Sequence, residues 1–80
     1  MLGGLMATTP PSAQHVFGQR IRARRLELGL SQEAVAEAAG LHFSYISSAE
    51  RGERNVSLKT ILRIAVALDV DPGGLITGLK

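Results

Sequence analysis

A chain of 80 residues with no cysteine and a formal net charge of +2 makes one small domain, near the lower size at which a chain folds unaided. Disulfides and thiolate metal sites are excluded, and His15 and His42 have no companion at a ligand spacing, so neither a metal nor a cofactor is expected. Aromatic residues are scarce, at 4%, and no alternating apolar run suggests a strand, so the expected class is all-α.

Residues 1–14, MLGGLMATTPPSAQ, read as a flexible tail, because Gly3-Gly4 and Pro10-Pro11 interrupt any helix and no side chain is charged. The apolar part is too short, too glycine-rich and too poor in Lys and Arg for a signal peptide. No later stretch is long enough to span a membrane, so the expected location is the cytoplasm. The domain proper is expected over residues 15–80. Its first helix starts near Ser12 or Ala13 and ends at Gly29, with a core stripe of Phe17, Ile21 and Leu28. Arg25 falls on that stripe and needs an acceptor, because burying an unpaired guanidinium is costly. Glu50 is the candidate partner; the alternative is a solvated Arg25 bound to phosphate. Arg20, Arg22 and Arg24 lie on more exposed faces, as solvated residues or as counter-charges to a nucleic-acid backbone.

The stretch Ser31 to Gly52, SQEAVAEAAGLHFSYISSAERG, predicts two short helices and a tight turn. Ser31 caps the first, Gln32 to Ala39, which presents Val35, Ala36 and Ala39 on one face. Gly40 turns the chain, and Phe43 to Arg51 forms the second helix around Ile46 and Ala49. Gln32, Ala36, Gly40, Ile46 and Glu50-Arg51-Gly52 stand at the offsets of a helix-turn-helix, and the pattern resembles the lambda-repressor-like family of Cro and XRE type. The likeness runs from about Phe17 to about Leu79. It implies a five-helix DNA-binding domain in which helices 2 and 3 form the motif, and an Arg25–Glu50 salt bridge that is structural.

The same resemblance assigns double-stranded DNA as the partner and places helix 3 in the major groove. On the side opposite Ile46 and Ala49 stand Phe43, Ser44, Ser47, Ser48 and Arg51, the expected reading face. Phe43 cannot make the bidentate base contacts of a Gln or Arg, which shifts direct readout toward Arg51, Ser44 and Ser47. His42 precedes the helix as a phosphate contact or a poor cap, and Tyr45 is expected to be partly buried with its hydroxyl toward a phosphate. Gln32 at a helix N-terminus, with Arg54 and Asn55 in the loop after Gly52, should anchor the backbone.

Ser57 caps a fourth helix, Leu58 to Leu68, with Leu58, Ile61, Leu62, Ala65 and Leu68 as its core stripe. Ile64 and Val66 widen that stripe beyond what one small domain needs. Asp71-Pro72 opens a short fifth helix ending with Leu75, Ile76 and Leu79. The surplus apolar surface predicts a homodimer joined through Ile64, Leu68, Leu75, Ile76 and Leu79; the alternative is that these residues simply complete the core. Two reading helices would then address an inverted repeat, as in a transcriptional regulator without a ligand domain. Restriction–modification controllers are similar in size and in the L-H-x-x-Y-I-S and E-R-G-x-R-N-x-S patterns; a phage-type repressor or an antitoxin is the alternative within this class. A protein-interaction module that has lost base readout is the alternative outside it. No small-molecule ligand is expected, and no enzyme, because no serine has a neighbouring base to activate it.

Overall fold

The computed structural model describes residues 12–80. Five helices follow one another: α1 (Ala13–Glu27), α2 (Gln32–Ala39), α3 (Phe43–Glu50), α4 (Leu58–Ala67) and α5 (Pro72–Ile76). No strand occurs among the described residues, as the sequence pattern predicts. The first helix starts at Ala13 behind its cap Ser12, as expected, so the tail boundary expected at residue 14 falls two residues inside it; residues 1–11 lie outside the described residues.

Short polar side chains start the helices. Ser12, Ser31 and Ser57 accept the N–H of the residue three positions on, at 3.1, 3.0 and 3.2 Å. Asp71 accepts from Gly73 N–H at 2.7 Å. Such a cap contributes about 1 kcal/mol by satisfying a free first-turn donor. Gly40 ends α2 at φ +69°, the left-handed conformation that only glycine adopts without strain.

The core is one cluster. Phe17 and Ile21 of α1 meet Val35, Ala36 and Ala39 of α2, Ile46 and Ala49 of α3, Ile64, Ala65 and Leu68 of α4 and its cap, and Leu75 of α5. Gly18 lets α1 approach the end of α3: a Cβ there would stand 2.6 Å from the Glu50 carbonyl oxygen and closer still to that of Ala49.

Two apolar stripes differ from expectation. Leu28 caps α1 with 37% of its surface exposed, because α1 ends two residues before Gly29. On α4, Leu58 and Leu62 are exposed and Ile64 is fully buried. Most of this helix is apolar, so periodicity alone leaves its rotation open, and the packing selects the face carrying Ile64, Ala65 and Leu68. The expected dimer surface changes accordingly: Ile64, Leu68 and Leu75 are buried at 0–1% exposure within the single chain and offer nothing to a second copy. Ile76 is exposed and Leu79 half-buried.

Arginines hold the helix C-termini. Arg20 donates to the carbonyl oxygens of Leu75 and Thr77 at 3.2 and 2.7 Å. Arg24 donates to those of Leu68 and Asp69, both at 3.0 Å. Arg63 donates to Ala39 and Gly40, both at 2.9 Å. Each guanidinium meets carbonyls that have no intrahelical partner, at the negative end of a helix. Arg20 and Arg24 therefore serve the fold, and Arg63 of α4 clamps the turn between α2 and α3.

Candidate nucleic-acid interface

The buried ion pair comes first, because it sets where α3 sits. Arg25 Nε and Nη2 donate to Glu50 Oε2 and Oε1 at 2.6 and 3.0 Å. Arg25 Nη1 adds the Leu30 carbonyl at 3.0 Å, and Gln32 Nε2 donates to Glu50 Oε1 at 3.0 Å. The hydrogen bond to Glu50 raises the pKa of the guanidinium, against the opposing effect of burial. Among the described residues no buried side-chain nitrogen or oxygen lacks a partner. The expected Arg25–Glu50 bridge is present, and it binds α1, α2 and α3 together.

Gln32 is thus partly committed: one amide N–H serves Glu50, while the start of α2 keeps first-turn N–H groups for another acceptor. At the start of α3, His42 Nδ1 accepts the Ser44 N–H at 3.1 Å and lies 2.7 Å from Ser44 Oγ. An imidazole nitrogen that accepts from a backbone N–H carries no proton of its own. His42 is therefore the helix cap.

Beyond it, Phe43 is 46% exposed, Ser44 is exposed and Ser47 is half-buried. With Arg51, also exposed, they stand at i, i+1, i+4 and i+8 on one side of the helix. Ser48 departs from the expected set. It is 8% exposed; its hydroxyl donates to the Tyr45 carbonyl at 3.0 Å and accepts from Arg54 Nε at 2.8 Å. At five positions from Phe43 it has rotated toward the core side, so it orders the following loop instead of facing outward. Arg54 also lies over the Tyr45 ring, 4.8 Å from its centre, and Tyr45 is half-buried beneath it. Asn55 is exposed beside it.

Arg51 is not free. Its Nε and Nη2 donate to Glu53 Oε2 and Oε1, both at 3.1 Å, and its Nη1 donates to Ser47 Oγ at 2.6 Å. The hydrogen bond raises the Arg51 pKa and holds the Glu53 carboxyl below its ordinary value. From sequence, Glu53 is only a dilution of the loop's positive charge. The spacing Arg-Gly-Glu across a turn is the signal that links it to Arg51. The Arg63 clamp has no comparable signal, since it joins residues 23 and 24 positions apart.

A shallow apolar groove adjoins this loop. Phe17, Val56, Ile61, Ile76 and Leu79 line it, with Arg54 and Asn55 at its edge. Among the described residues no helix is long and apolar enough to cross a membrane, and no cluster of metal-ligating side chains occurs.

Residues 21–75 match the family model for a helix-turn-helix domain. The chain is 44% identical over 69 residues to control protein C.SmaI of Serratia marcescens, covering 84% of this chain and 82% of that protein. The crystal structure of the restriction–modification controller protein C.AhdI from Aeromonas hydrophila superposes with a TM-score of 0.76. It is 52% identical, over 78% of this chain and 94% of that one. The P22 c2 repressor, solved in complex with a synthetic operator, gives a TM-score of 0.73 at 35% identity, over 79% and 96% of the two chains. The chain belongs to the helix-turn-helix family, in its Cro and XRE branch, whose curated relatives include controller proteins and repressors. It is a DNA-binding transcriptional regulator of that type.

Proposed function

We propose that this regulator binds an inverted-repeat operator as a homodimer, with α3 of each subunit in the major groove, and acts as a restriction–modification controller. The observation that carries the DNA reading is the exposed side of α3. It presents hydroxyl groups, an aromatic ring and a guanidinium, and the Arg25–Glu50 pair fixes it against α1. Ser44 and Ser47 reach base edges, Phe43 lies against a thymine methyl, and Arg51 supplies the strong donor. Gln32, His42, Tyr45, Arg54 and Asn55 contact the phosphate backbone and set the register. Ser48 acts through Arg54, which it holds.

The dimer forms through the groove of Val56, Ile61, Ile76 and Leu79. These residues lie next to the α3–α4 loop, so pairing there brings the two loops and the two α3 helices into one assembly. Two such helices reach successive grooves about 34 Å apart. The controller role rests on the similarity to C.SmaI and C.AhdI, both named as controllers. The protein works without catalysis, in the cytoplasm, and its own concentration sets occupancy of the operator.

Selection from random duplex DNA at near-physiological salt tests the reading. The expected result is an inverted repeat with half-sites about one helical turn apart. Ile76→Glu should give a folded monomer that binds the same half-site far more weakly. No enriched sequence, with binding that vanishes as salt rises, would leave only phosphate contacts and sink the operator reading. A dimer that survives Ile76→Glu would move the interface elsewhere.

A further inference from the structure

The exposed pair at the end of α3 has the geometry of a built holder for one side chain. A guanidinium has five N–H groups. In Arg51, Glu53 takes two of them through Nε and Nη2, and Ser47 takes one on Nη1. Two remain, one on each terminal nitrogen. In the major groove guanine presents two acceptors side by side, O6 and N7, for donors of this kind. Holding the long side chain in advance lowers the cost of ordering it on a base. Little of the fold depends on this arrangement, since both side chains are 56% exposed and exposed pairs add little to stability.

We propose that Glu53 is a positioning residue: with Ser47 it holds Arg51 so that the two remaining N–H groups read a guanine in each half-site. The proposal rests on the reading that α3 enters the major groove. It also fixes a sign. Glu53 as a bare negative charge opposes DNA of any sequence, so removing it should strengthen binding everywhere. As a holder of Arg51, its removal weakens one base preference and no other.

The test measures affinity for the selected operator, for operators with that guanine replaced, and for non-specific duplex. Wild type, Arg51→Ala, Glu53→Ala and the double variant are compared. Arg51→Ala should lower discrimination at one position per half-site by about ten-fold or more, the range expected for a bidentate base contact. Glu53→Ala should lower discrimination at the same position by about three-fold or more, while non-specific binding holds or rises. In the Arg51→Ala background, Glu53→Ala should change discrimination no further, as a double-mutant cycle requires of residues acting through one contact. Unchanged thermal melting of all four proteins keeps the comparison free of folding effects.

Three results would overturn the proposal. One is stronger binding of Glu53→Ala to every sequence with discrimination intact, which is charge removal alone. Another is a loss that persists without Arg51. The third is an Arg51→Ala variant that weakens all sequences alike and flattens the salt dependence, which is a phosphate contact. Failure of the operator reading itself appears earlier, as the absence of any sequence enriched by the wild type.

Discussion

Glu50 and Arg51 are neighbours in the chain, and each completes an arginine–glutamate pair of similar geometry. Both pairs are bidentate through Nε and Nη2, and both recruit an additional partner for Nη1. They differ in surroundings. The Arg25–Glu50 pair has side chains 9% and 4% exposed, whereas Arg51 and Glu53 are each 56% exposed. In the interior, a charge that loses its partner cannot turn to water, so the pair locks α3 against α1 and α2. At the surface, either member can exchange its partner for solvent or for a ligand at little cost. The same chemistry thus fixes the position of α3 in one place and leaves a solvent-exposed guanidinium at its end in the other.

The largest effect should come from breaking the buried pair on one side. Glu50→Gln leaves Arg25 facing an amide, and Arg25→Met leaves the Glu50 carboxylate with only Gln32. Removing one partner of such a pair costs about 3–5 kcal/mol, much of the stability of a domain this small. Urea denaturation should show a midpoint lowered by most of its range, or a chain already unfolded in buffer. The double replacement Arg25→Met with Glu50→Leu should recover much of the loss, because no unpaired charge is left behind. Equal damage from single and double variants would mean that the pair contributes by shape and not by charge.

That buried pair was also the most legible part of the interior. An arginine at helical spacing between Phe17, Ile21 and Leu28 announces that an acceptor must exist, and Glu50 beside Ile46 is within reach of that face. The helix-turn-helix was legible for a similar reason: Ser31, Gly40 and the apolar offsets are local signals that the fold obeys directly. The face of α4 was not. With Leu58, Ile61, Leu62, Ile64, Ala65 and Val66 nearly consecutive, several rotations bury comparable apolar area, and only contact with α2 and α5 selects one. The misplacing of Ile64, Leu68 and Leu75 at a dimer surface follows from that ambiguity. Ser48 shows the same limit on a smaller scale, because a position five residues from Phe43 lies about 140° around the helix from it. The arginines that cap carbonyls were beyond reach, since carbonyl acceptors are present at every residue and carry no sequence signature.

An intermediate effect should appear at the start of α3. His42→Ala removes the acceptor for the Ser44 N–H and should cost about 1 kcal/mol, read as a lowered midpoint in thermal or urea unfolding. His42→Asn should restore most of it, because the Asn side-chain oxygen accepts the same bond. This places the cap between the two ion pairs in size: an exposed hydrogen bond that is nevertheless structural, because it satisfies a helix terminus. If Ala and Asn behave alike, the cap contributes nothing measurable and His42 is present for another contact.

The smallest effect concerns the exposed pair and its dependence on pH. Glu53 is held below its ordinary value of 4.5, chiefly by the hydrogen bond from Arg51. A carboxyl with a depressed pKa in the folded state stabilises the fold fully above its unfolded value, and that contribution is lost as pH falls through the folded one. The window therefore lies below 4.5, and between neutral pH and that point the pair stays intact. Carbon-detected NMR titration of the Glu53 carboxyl should give a midpoint below 4.5 in the wild type and a return toward 4.5 in Arg51→Ala. The unfolding midpoints of the two proteins at neutral pH should nevertheless differ little, because both side chains are more than half exposed and solvent replaces whichever partner is missing. Identical titrations would mean that the pair does not persist in solution, and Arg51 would then approach DNA unguided.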